Sequence, residues 1–192
     1  MEELTSQDRS RIAEILQKIS PGKPHYRWMT NSDSATTIAL ASETLKSDHL
    51  VTIRRQGNIV AFAALETKED PSALNVSQNI FTERYGISLG KRLWFAYQLY
   101  RHSHVRRNPE TLHIDIFALD QEYSLEDVGQ ELLEKTIDLA RSIGKTTLVI
   151  ENINNDSELY TFCTEHGFTG QGFRFIKVPI IRGLARKAGF RG

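Results

Sequence analysis

The chain has 192 residues, 25% of them charged and 40% hydrophobic, the mix of a soluble protein with room for one cored domain. Its 24 basic and 24 acidic residues cancel, which argues against a general nucleic-acid or anionic-membrane binder. The single cysteine, Cys163, rules out an internal disulfide. The start MEELTSQDRSR is too polar for a signal peptide, and no apolar run approaches the roughly 20 residues of a membrane span. A cytoplasmic protein without a membrane partner is expected.

The chain shows no internal repeat. Thr5-Ser6-Gln7-Asp8 reads as a helix start, followed by Ile12, Ile15, Leu16 and Ile19 at helical spacing. Residues 35–46 read as a second helix. HLVTIRRQ and IVAFAALE are strands flanking a tight turn at Gly57-Asn58. Residues 67–86 read as an irregular excursion. Leu89, Leu93, Trp94, Ala96, Tyr97 and Tyr100 then mark an amphipathic helix that ends in the basic run RHSHVRRNP.

TLHIDIFALD is a strand whose alternation sets Leu112, Ile114 and Ile116 on one face, and His113, Asp115 and Phe117 on the other. A long helix is predicted over 125–143 with Gly144 just past its end, then a strand at TTLVIEN, a short helix at SELYTFCTEH and a strand at GFRFIKVPI. Residues 1–180 are expected to form one domain, with 181–192 as a basic tail. The order implies an α+β fold with a mixed sheet and a strand–helix–strand crossover at its centre.

Three segments carry a resemblance to a known family. IFALDQEY, ELLEKTIDLARSIGKTTLVIEN and DSELYTFCTEHGF resemble, in order and spacing, the central strands and helices of the GCN5-related N-acetyltransferases (GNAT). The resemblance implies an acyl-CoA N-acyltransferase-like fold with a splayed central sheet flanked by helices. It implies acetyl-CoA as cofactor and an amine of a small molecule or protein as acceptor. Self-association is left open, and nucleic acid is not an expected partner.

The family's diphosphate motif, Gln/Arg-x-x-Gly-x-Gly/Ala, falls on Ser124-Leu125-Glu126-Asp127-Val128-Gly129. Only Gly129 keeps its place. Ser124-x-x-Asp127 also reads as a capping box, in which the serine caps the helix and the acid reaches back. Those acids then sit where a diphosphate would meet free amides at the positive end of a helix. Two outcomes stay open at this point: a loop that still holds phosphates, helped by a nearby cation, and a loop that only caps its helix.

The resemblance also implies a cofactor contact at Asp156 and carbonyl polarisation by backbone amides at Phe117, Ala118 and Leu119. It places Cys163 where the family commonly has a proton donor to the departing thiolate. A thiol with an ordinary pKa of about 8.5 can donate, although a lone cysteine on an apolar helix is more often simply packed. His113 and Asp115 are candidate bases for the amine, and Glu66 a weaker one. No cluster with metal-ligand spacing is present in the sequence. The alternative function is a catalytically degenerate acetyltransferase-like module used for binding or regulation.

Overall fold

A computed structural model describes residues 3–19, 42–70, 77–103, 108–153, 157–173 and 181–187. The elements are α1 (Ser6–Ile19), β1 (Leu50–Arg55), β2 (Asn58–Glu66), α2 (Gln78–Tyr85), α3 (Ile87–Ser103), β3 (Thr111–Leu119), α4 (Gln130–Ser142), β4 (Thr147–Ile153), α5 (Glu158–Glu165), β5 (Thr169–Phe173) and β6 (Ile181–Lys187). One wide turn, Leu125–Gly129, leads directly into α4. Most of the helix expected over 35–46 lies outside the described residues; 42–44 are helical.

The helix start at Thr5 forms a closed capping box. Thr5 Oγ1 accepts from the Asp8 N–H at 3.1 Å, and Asp8 Oδ2 accepts from the Thr5 N–H at 3.0 Å. Two donors that the first helical turn leaves free are thereby satisfied. The helix buries Ile12, Ile15 and Leu16 completely. Full burial of such a side chain contributes about 1.5–3 kcal/mol.

The hairpin turns one position earlier than expected. Gln56 and Gly57 are its central residues, with φ of 51° and 82°. Two positive φ values give the turn whose twist matches the strands, and glycine takes one of them without steric cost.

The six strands form one sheet in the order β1-β2-β3-β4-β6-β5. β3 and β4 pair in parallel across the α4 crossover, and the other neighbours pair antiparallel. Two cores cover the sheet. α1, α2 and α3 meet Phe62, Ala64, Ile116 and Ala118 on one face. α4 and α5 meet Ala63, Leu65, Leu112, Ile114 and Phe117 on the other.

The strand expected at GFRFIKVPI begins earlier, as β5 from Thr169 to Phe173, and residues 174–180 lie outside the described residues. Two further segments differ from the sequence reading. Residues 78–85, expected to be irregular, form α2. Ser77 caps it by accepting from the Ile80 N–H at 3.4 Å, and Phe81 is fully buried. So short a helix offers little periodicity to read. It is stabilised by packing on α3 at Gly90, where an added Cβ would lie 2.5 Å from the Phe81 carbonyl oxygen. Residues 181–187, expected to begin a tail, form β6 between β4 and β5. Pairing on both sides satisfies their backbone groups whatever the charge of the side chains.

Candidate functional site

β3 and β4 separate halfway along. Their pairing runs from Thr111 with Thr147 to Ile114 with Ile150 and stops there, although β3 continues to Leu119 and β4 to Ile153. β3 keeps its other neighbour, with Ile116 to Leu119 opposite Ala64 to Ala61. The register with β2 shifts by one residue at Asp115, which is the extra residue of a bulge.

The bulge breaks the strict alternation expected for this strand. Leu112, Ile114 and Phe117 pack in the α4–α5 core, while Ile116 and Ala118 pack in the α1–α3 core. Phe117 therefore does not share a face with His113, because one inserted residue exchanges the two faces beyond it. His113 instead lies opposite Glu66 on β2, and both are buried. Asp115 is buried as well.

The direction of the β3 amides follows from one bond at the strand end. The Asp120 N–H donates to the Val60 carbonyl at 2.8 Å. Alternate residues of a strand turn their N–H groups to the same neighbour. Ala118 thus spends its N–H on β2, whereas Phe117 and Leu119 direct theirs to the opposite edge, where β4 has departed.

A cleft of about 880 Å³ opens at that edge. It lies between the end of β3, the turn at 121–126 and the α5 segment from Ser157 to Glu165. Phe117, Ala118, Leu119, Ser124 and Leu125 line it, as do Tyr123, Thr161 and Phe162. Among the described residues its ionisable side chains are Asp120, Tyr123, Glu126, Glu158 and Glu165, with no lysine or arginine. Asp120 is neutralised on its far side by ion pairs to Arg11 and Lys18 of α1. Burial works to raise that carboxyl, but the two cations prevail and hold it below the usual range.

The turn at Ser124 caps its helix by half. Ser124 Oγ accepts from the Asp127 N–H at 3.3 Å. The Asp127 carboxylate does not return to the Ser124 N–H as a closed box requires. It lies 3.8 Å from Arg55, which also holds Glu131 at 2.6 Å. The chain then makes a wide turn, with Gly129 N–H donating to the Ser124 carbonyl at 3.2 Å. Gly129 and Val128 are buried; a Cβ at Gly129 would lie 3.0 Å from Leu125 Cδ2, so close packing on Leu125 suits a glycine there.

Cys163 faces the core. It is 0% exposed, is absent from the cleft wall, and burial pushes its thiol up to about 12. Its helix neighbours Thr161 and Phe162 reach the cleft instead, since residues one and two apart on a helix point in different directions. Asp156 lies outside the described residues. Arg55, Tyr123 and Thr161 were not singled out from sequence; only Tyr123 carried a signal, its place beside the motif. Among the described residues no group of His, Cys, Asp or Glu could hold a metal ion, and no helix is long and apolar enough to cross a membrane.

No protein-family model matches the sequence, and no curated protein matches it. Solved structures do. A GNAT-family protein from Desulfovibrio desulfuricans aligns with a TM-score of 0.60 at 12% identity, covering 98% of each chain. The chain has the GNAT acetyltransferase fold. The polyamine N-acetyltransferase of Drosophila melanogaster aligns at 0.58 and 13% identity, over 97% of this chain and 98% of the other. The ribosomal-protein-S18-alanine N-acetyltransferase of Escherichia coli aligns at 0.56 and 14% identity, over 100% of this chain and 94% of the other. The GNAT likeness is thus a likeness of architecture, at 12–14% sequence identity.

Proposed function

We propose that the protein is an N-acyltransferase that moves an acetyl group from acetyl-CoA to an amine of a small molecule or a protein. The observation that carries this reading is the free edge of β3, where Phe117 and Leu119 direct their N–H groups into a cleft. The pantetheine arm of the donor is a slender chain with amide groups of its own. It suits a strand edge whose donors have left the β4 ladder and a wall of Phe117, Leu119, Leu125 and Phe162. The donor supplies an activated thioester. The neighbours, which carry N-acetyltransferase names, act on a polyamine in one case and on a ribosomal protein in another.

Each step asks something simple of this chain. Phe117 and Leu119 amides, fixed by the β2 pairing on their other side, are donors at which a carbonyl oxygen gains negative charge at no reorganisation cost. The apolar walls keep bulk water from that carbonyl. His113 and Asp115 are the candidate bases for the amine. They stand buried on β3, His113 opposite Glu66, and in this reading a water relays the amine proton to one of them. In this reading a hydroxyl of the wall, from Tyr123, Ser124 or Thr161, passes a proton to the departing thiolate. Cys163 packs the core in this reading.

A second reading is favoured by one observation: the acids at the cleft mouth and the spent Asp127 amide make a poor phosphate cradle. In it, the protein keeps the fold as a binding or regulatory module. Thiol release from acetyl-CoA, measured with agmatine, a polyamine and an amino-terminal peptide as acceptors, separates the two. Release above the background rate with at least one acceptor supports the enzyme. No release, together with no heat on titration of acetyl-CoA, supports the module.

A further inference from the structure

Among the described residues, Arg55 is the cation that touches the donor loop. It comes from the end of β1, far from the loop in sequence. Its Nη2 holds Glu131 at 2.6 Å and lies 3.8 Å from Asp127, while its Nη1 donates to the Arg54 carbonyl at 3.2 Å. Its base is well fixed. The turn at Gln56-Gly57 sets the hairpin end, and Lys135 of α4 donates to the Thr52 carbonyl at 3.4 Å, which ties β1 to the helix behind the loop. The Arg55 side chain is about one-third exposed.

We infer that Arg55 is the cation through which the donor loop meets a diphosphate, and that Asp127 acts on the diphosphate by holding Arg55. The inference rests on the donor site proposed above. Three features support it. Among the described residues the cleft wall contributes acids and no cation, so a diphosphate at its mouth needs positive charge from outside the motif. A guanidinium offers several donors in a planar fork that suits phosphate oxygens. The two carboxylates are held unequally: Glu131 at a full hydrogen-bond distance positions the group, whereas Asp127 at 3.8 Å is a loose contact that a phosphate can displace.

This assignment differs measurably from direct repulsion between Asp127 and the phosphates. Direct repulsion predicts that Asp127→Asn tightens acetyl-CoA binding whether or not Arg55 is present. Restraint of Arg55 predicts that the gain requires Arg55. The experiment is a four-member cycle of wild type, Arg55→Gln, Asp127→Asn and the double variant. Each is titrated by calorimetry with acetyl-CoA and with acetyl-pantetheine, which lacks the diphosphate. Arg55→Lys and a thermal melt of every variant separate lost charge from lost fold.

Arg55→Gln is expected to weaken acetyl-CoA binding about tenfold or more and to leave acetyl-pantetheine unchanged. Arg55→Lys is expected to fall between. Asp127→Asn is expected to tighten acetyl-CoA severalfold in the Arg55 protein and not in the Arg55→Gln protein. Unchanged acetyl-CoA affinity in folded Arg55→Gln overturns the inference, as does an equal gain from Asp127→Asn in both backgrounds. Both results leave the donor site standing. Binding of neither ligand by the wild type overturns the donor site itself, and the inference with it.

Discussion

Replacing Asp8 is a direct measure of how firmly the first helix is fixed to the hairpin. The Asp8 carboxylate accepts from the Thr5 N–H at 3.0 Å, the Thr5 hydroxyl at 2.8 Å and Arg54 at 2.6 Å. Loss of the box costs about 1 kcal/mol and loss of a charge-assisted bond about 1.5–3 kcal/mol. Arg54 keeps the Gly57 carbonyl at 3.2 Å and some solvent, so it is not stranded. Asp8→Ala is therefore expected to destabilise by about 2–3 kcal/mol, and Asp8→Asn by about half as much, since the amide oxygen still serves Thr5. The hydrogen bond from Arg54 is the main reason that the Asp8 carboxyl lies well below its ordinary value of 3.8. A depressed carboxyl stabilises the fold above its unfolded pKa and loses that contribution as pH falls toward its folded one. The gap between wild type and Asp8→Asn should thus be constant from neutral pH down to about 4 and shrink below it. Urea unfolding, followed by circular dichroism at several pH values, reads both quantities. A cost for Asp8→Ala under about 0.5 kcal/mol would refute the reasoning, as would a gap for Asp8→Asn that is undiminished at about pH 2.5.

Gly90→Ala should lower the urea midpoint. The helix-propensity gain of about 1 kcal/mol is outweighed by a Cβ 2.5 Å from the Phe81 carbonyl oxygen and 2.6 Å from Thr82 Cα, and a raised midpoint would count against the α2–α3 packing. Cys163 should resist iodoacetamide in the native protein and react once urea unfolds it, because its thiol is buried and raised to about 12; equal labelling rates would place it at the surface. Cys163→Ala should cost about 1–2 kcal/mol of stability through the small cavity it leaves while turnover per folded molecule stays the same, and a sharp fall in turnover would return the cysteine to the chemistry. Ser124→Ala should cost about 1 kcal/mol and speed amide exchange at residues 125–129, whereas unchanged exchange would show that the cap is idle.

Much of the architecture is legible in the residues themselves because it rests on local rules. Thr5 and Asp8 stand three apart at a helix start, and their box closes as the spacing implies. The β1–β2 hairpin announces itself by a glycine between two apolar runs, with only the turn position off by one. α2 was not legible, because eight residues with one fully buried aromatic give no period, and its helicity depends on a glycine in the next helix. The place of β6 was not legible either, since strand insertion between β4 and β5 is decided by backbone pairing with distant segments.

The candidate site divides along the same line. Sequence alone placed a strand at 111–120, a helix cap at Ser124 and a loop whose family motif retains one glycine. Those follow from spacing, side-chain chemistry and the family pattern. Tertiary structure decided which amides face the cleft, because the bulge at Asp115 and the bond from Asp120 to Val60 determine the direction of every N–H beyond them. It decided that Cys163 turns into the core while Thr161 and Phe162 turn out. It also opened the capping box predicted at Ser124, because Arg55 arrives from another strand and draws Asp127 away. The capping rule is local, but an ion pair acts through space, and only the folded chain brings residue 55 to residue 127.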